Sequence, residues 1–162
     1  MGASRGPGAE ARLAELGIEL PDVAAPVASY VPAVRSGRYV YTAGQLPFVD
    51  GALPEAGKVG LGDGMVDPAT AAGYARICAL NALAAVRSVV GSLDSVARVV
   101  KVVGFVASDP SFTGQPGVVN GASNLLGEIF GDAGIHARSA VGVAVLPLDA
   151  PVEVELIVEL AE

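Results

Sequence analysis

The spacing of hydrophobic positions changes period several times along the chain. From Val152 to Leu160 it alternates strictly, with Val152, Val154, Leu156, Val158 and Leu160 on one face and Glu153, Glu155, Ile157 and Glu159 on the other. A period of two predicts a strand with one buried face. Ser139 to Leu146, before Pro147, mixes Val, Ala and Gly in the manner of a buried strand that neighbouring backbone approaches closely. The turn Leu148-Asp149-Ala150-Pro151 is short enough for these two strands to pair as a hairpin, with the register left open. Further strands are predicted over Val96 to Ala107, around Ser29 to Arg35 and over Arg38 to Ala43, the last two joined at Ser36-Gly37.

Two long segments read as helices. Asp67-Pro68 supplies an N-cap and a first-turn proline, and the Ala-rich stretch from Ala69 to Val90 stops at Gly91. The second helix runs from about Gln115 to Phe130, with Gly131 and Gly134 as breakers. A short helix over Ala9 to Leu16, closed by Gly17, precedes a linker punctuated by Pro21 and Pro26. A loop rich in Gly and Pro, Pro47 to Gly64, could cover an adjacent site. Residues 1–26 thus form an N-terminal extension, and 27–162 a domain in the order ββαβαββ. That order predicts an α+β two-layer fold, a mixed sheet with two helices on one face. The uncovered sheet face then needs a partner.

Composition narrows the function. At 162 residues, with 52% hydrophobic and 17% charged residues, the chain is one domain with ample core and is not disordered. A net charge of -7 and scattered Lys and Arg oppose nucleic acid as a partner, because phosphate binding needs clustered cations. One cysteine forms no intrachain disulfide, so Cys78 reads as a small helix-packing residue in a reducing compartment. The positive mean hydropathy comes from Ala and Val, interrupted by Asn81, Arg87 and Lys101, so no spanning segment of about 20 residues is expected. Met1 to Gly8 lacks an apolar export core, and Gly6 stands where a myristoylation motif needs Ser or Thr. The expectation is a cytoplasmic protein with no membrane partner.

Several catalytic motifs are excluded by inspection. Gly51 to Lys58 approaches a phosphate loop, but the spacing is too long and Val59 replaces the Ser or Thr. One His and one Cys cannot build a metal cluster, and Gly121-Ala122-Ser123-Asn124 lacks the second glycine of a nucleophile elbow. No cofactor and no metal is indicated. Arg138 offers a planar fork of donors that matches a carboxylate, and Glu153 with Glu155 shares a face of what is expected to be the neighbouring strand. Spacing alone favours a solvated face with a weak surface ion pair.

Ordered wording along the chain favours a different reading. His136-Ala137-Arg138-Ser139, then Leu146-Pro147, then Val152-Glu153-Val154-Glu155, resembles the C-terminal signature of the RidA/YjgF family of reactive intermediate deaminases, in which Pro-Ala-Arg-Ser precedes a strand, Leu-Pro and an acidic strand. Tyr30-Val31-Pro32-Ala33-Val34, Gly37 and Tyr41-Thr42-Ala43-Gly44-Gln45-Leu46-Pro47 are similar to the family's opening hairpin, which ends in a Ser-Gly-Gln-Ile/Leu-Pro turn. Asn120 falls where the family has an asparagine at the start of its second long helix. The resemblance covers roughly residues 27 to 160 and is greatest to a longer branch with an N-terminal helical extension.

What the resemblance implies is specific. The fold would be chorismate-mutase-like, and three chains would associate as a homotrimer with sites in the clefts between subunits. The substrate would be a small carboxylate-bearing metabolite, a 2-imino or enamine acid such as 2-aminoacrylate, hydrolysed to a 2-keto acid and ammonia. Arg138 would clamp the carboxylate and Glu153 orient or activate the water; Tyr30, Asn120 and the backbone around Ala140 would line the cleft. Ala43 stands where the family has serine, so a pocket hydroxyl is absent. Two other classes stay open: a non-catalytic or regulatory small-carboxylate binder, and a related hydrolase on another substrate. Tyr30 also reads as an amphipathic strand aromatic, Asn120 as a helix cap, and His136 as a structural or exposed histidine, preferred over one bordering the cleft.

Overall fold

The computed structural model describes residues 6–23 and 29–162. The boundary expected near residue 26 lies outside them. Helices α1 (Ala9–Leu16), α2 (Pro68–Val90) and α3 (Gln115–Phe130) accompany strands β1 (Ala33–Ser36), β2 (Tyr39–Thr42), β3 (Val96–Ala107), β4 (Ala137–Val143) and β5 (Val152–Leu160). The start of α2 follows from its sequence: the Asp67 carboxylate accepts from the backbone N–H groups of Ala69 and Thr70, and Pro68 occupies the first turn.

The sheet order is β1-β2-β5-β3-β4. Only β3 and β4 run parallel, so the sheet is mixed as predicted, but the expected β4–β5 hairpin does not form. Strand β5 lies instead between β2 and β3, antiparallel to both. Alternation fixes which face of a strand is buried and says nothing about its neighbour. The intervening turn also departs from a tight hairpin, with Leu148 and Asp149 both at positive φ. Strand β4 begins earlier than expected and ends at Val143, and β1 and β2 are shorter than expected at their outer ends.

The alternating apolar residues of β5 are buried with Val99, Val102 and Val106 of β3 against α2 and α3. Helix α2 is long and apolar enough to cross a membrane by length and composition, contrary to expectation. Its buried residues, among them Ala75, Cys78, Ala82 and Leu83, belong to the domain core. Asn81 in its middle donates to the carbonyls of Leu46 and Phe48, which ties the Gly- and Pro-rich loop to the helix. Helix α1 docks through Glu10, which accepts from the Leu93 N–H and meets Arg87, and through Arg12, which donates to the Glu128 carbonyl. The other sheet face is uncovered and exposes Tyr39, Tyr41 and Val141.

Candidate functional site

Two glycines let α3 pack closely, Gly104 against the sheet and Gly121 against α2. A Cβ on Gly104 of β3 would collide with the Val119 side chain, and one on Gly121 would collide with the Ala72 carbonyl oxygen of α2. The close approach carries Asn120 and Ser123, one helical turn apart on α3, to the edge strand β4. Arg138 pairs in register with Val102, whose side chain is buried beneath the helices, so Arg138 faces α3. Its Nη1 donates to Asn120 Oδ1 at 2.7 Å and to Ser123 Oγ at 3.2 Å. Ser123 Oγ lies 2.9 Å from His136 Nε2, and His136 Nδ1 lies 2.6 Å from the Gly134 carbonyl oxygen. Ala140 follows on the same face of β4 beside Gly104.

Asn120 does not cap α3. The helix opens at Gln115, with Gly114 as N-cap, and Asn120 lies in its second turn. His136 backs the Arg138 network rather than standing free. Ser123 shows in the sequence only as part of a failed nucleophile elbow. The signal that could have found it is its spacing of three from Asn120, which puts both side chains on one helix face.

Glu153 sits elsewhere. Its register partner is Phe105, and its alternation places it on the uncovered face of β5, opposite the face that Arg138 occupies. The two residues are separated by two strand spacings and three residues of register, about 14 Å between Cα atoms. The structure therefore does not put this cation and carboxylate on neighbouring strands. The Gly44-Gln45 turn folds over Glu153, pinned by reciprocal backbone hydrogen bonds between Gln45 and Val154 at 2.8 and 3.0 Å. A Cβ on Gly44 would collide with Glu153 Oε1, so a larger residue there would push the Glu153 side chain aside. Ala43, next in the turn, donates its N–H to the Pro32 carbonyl at 2.8 Å. Tyr30 precedes β1 and is 54% exposed.

The electrostatics of the two halves differ. Burial first, and the neighbouring Glu155 second, push the Glu153 carboxyl above the ordinary glutamate range. Among the described residues, no ion pair involves Glu153, Glu155 or Arg138. A half-buried guanidinium with neutral partners behind it and no carboxylate beside it is suited to an external anion. Cys78 is buried, its thiol is pushed well up by burial, and Sγ donates to the Val152 carbonyl, so it is a packing residue.

The family described as "YjgF/chorismate_mutase-like, putative endoribonuclease" matches residues 10–160. A curated relative, Protein TCP17 of Trypanosoma cruzi, is 46% identical over 151 residues, covering 93% of this chain and 92% of its own. A crystal structure of a protein of unknown function from Agrobacterium tumefaciens is 46% identical, with a TM-score of 0.85 over 94% of this chain and 92% of that one. The structure of E. coli TdcF with bound serine is 25% identical, with a TM-score of 0.62 over 86% of this chain and 94% of that one. The chain therefore belongs to the RidA/YjgF family.

Proposed function

We propose that the protein hydrolyses small 2-imino and enamine acids to 2-keto acids and ammonia. The observation that carries this reading is Arg138, a half-buried guanidinium held from behind by Asn120 and Ser123 and without a carboxylate partner among the described residues. Its unused edge matches the carboxylate of such an acid. Glu153, with its raised proton affinity, is suited to take a proton from the attacking water and return it to nitrogen. Water oxygen bonds to the imine carbon, the carbinolamine loses the C–N bond, and ammonia leaves as the 2-keto acid forms.

The two groups face opposite sides of one sheet, which supports a site completed between copies of the chain. The exposed Tyr39, Tyr41 and Val141 on the Glu153 face supply apolar area for that contact, and the reading takes the assembly as a homotrimer in the cytoplasm. Serine, bound to the related TdcF, shares with these acids a carboxylate on a small carbon skeleton, which fits a carboxylate-binding site. The same fact favours a second reading, a binder without turnover. Generating 2-aminoacrylate from serine with a dehydratase and following pyruvate release separates them. Wild-type protein accelerates release, and Arg138→Ala and Glu153→Ala do not; no acceleration by the assembled wild-type protein would leave the binder. A monomer that still binds ligand, detected by light scattering, would refute the intersubunit site.

A further inference from the structure

We propose that Ser123 and His136 form a positioning pair that fixes which edge of the Arg138 guanidinium receives the substrate carboxylate, an inference that rests on the carboxylate-clamp reading of this site. Proton positions are set from the far end of the network. A carbonyl oxygen only accepts, so the 2.6 Å contact between His136 Nδ1 and Gly134 O places a proton on Nδ1. In the neutral ring Nε2 is then an acceptor. The hydroxyl hydrogen of Ser123 accordingly points to Nε2, 2.9 Å away, and the Ser123 lone pairs are left for Arg138 Nη1 at 3.2 Å.

Nη1 carries two hydrogens and faces two acceptors, Ser123 Oγ and Asn120 Oδ1. Both are used inside the chain. The end-on edge, which needs a hydrogen from each Nη, is therefore closed to a bidentate ligand, whereas the side-on edge formed by Nε and Nη2 has no partner among the described residues. The same contact settles the orientation of Asn120: with Oδ1 on Arg138, its Nδ2 hydrogens are the ones presented outward. The groups left unused are donors only, Arg138 Nε and Nη2 and Asn120 Nδ2, which suits a carboxylate and not an ammonium group. Without the hydrogen bond from Ser123 to His136, the hydroxyl would be free to turn its hydrogen toward the guanidinium, and the fork would lose one of its two fixings.

The test measures pyruvate affinity by calorimetry and the steady-state split on the full-length protein. Ser123→Ala and His136→Ala are expected to weaken pyruvate binding by about tenfold, the scale of one lost hydrogen bond to a charged group, with KM rising more than kcat falls. His136→Gln offers an amide oxygen where Nε2 stood and is expected to restore most of that affinity, which a role in packing alone would not produce. Unchanged affinity in Ser123→Ala, with binding lost in Arg138→Ala, overturns the positioning pair and leaves the clamp standing. Unchanged affinity in Arg138→Ala removes the clamp itself, and the pair with it. Nitrogen-15 NMR of the imidazole in the wild-type protein probes the pair without any ligand. A proton on Nδ1 with Nε2 accepting supports the assignment, and a proton on Nε2 refutes it even where a variant does not fold.

Discussion

The edge where α3 meets β4 and the central strand β5 each present a charged side chain, and the two are finished to different degrees. At the edge, Arg138 is held by Asn120 and Ser123, and Ser123 in turn by His136, all within one chain. On β5, Glu153 is half-buried under the Gly44-Gln45 turn with no cation beside it among the described residues, and it faces an uncovered sheet. The first is fixed by side-chain hydrogen bonds within the chain and by the close approach of α3 to the sheet at Gly104. The second holds a carboxyl in an environment that disfavours its charge. A binding group needs the former treatment, and a group that must exchange protons benefits from the latter.

The sharpest way to break this division is Glu153→Gln. It should lower imine turnover by about 10²-fold or more while pyruvate affinity, measured by calorimetry, stays within a few-fold. Equal losses of both would show that Glu153 binds rather than transfers protons. Next in size, Arg138→Ala should weaken pyruvate by about tenfold or more with the fold retained by circular dichroism, since it removes charge-assisted hydrogen bonds. Gly104→Ala probes the close approach instead. Its new methyl collides with Val119, so denaturant unfolding should show a loss of about 1–3 kcal/mol, with weaker pyruvate binding as Asn120 is displaced.

The smallest effect is on stability against pH. Folding raises the Glu153 carboxyl above its ordinary range, so its contribution is fully present below the unfolded value and is lost as pH rises through the raised one. Glu153→Gln should therefore melt above wild type at neutral pH, with the gap closing as pH falls to about 4, the ordinary glutamate range. A gap independent of pH would sever the link between burial and that carboxyl.

Sequence was most informative where a local signal sufficed. Asp67, Pro68 and Gly91 delimit α2, and alternation identifies β5 to the residue. The errors concern what lies beside what. Nothing in the alternation of β5 reveals that it enters between β2 and β3, so it suggests Arg138 and Glu153 on adjacent strands when β3 separates them. Family wording singled out Arg138 and Asn120, which the structure joins by a hydrogen bond, because those motifs are local. Ser123 and His136 escaped because their roles arise from the descent of α3 onto Gly104, a tertiary contact with no sequence period.

The place of β5 also governs how the chain must come into being. The last strand of this sheet to be made is its middle one, and it is hydrogen-bonded to residues up to 122 positions earlier, as between Arg38 and Leu160. Until it emerges, β2 and β3 each wait with an open edge, and the nascent chain carries two unjoined halves. Completion of the fold is thus postponed until β5 has been made, and a truncation that removes β5 takes the keystone of the sheet rather than its fringe.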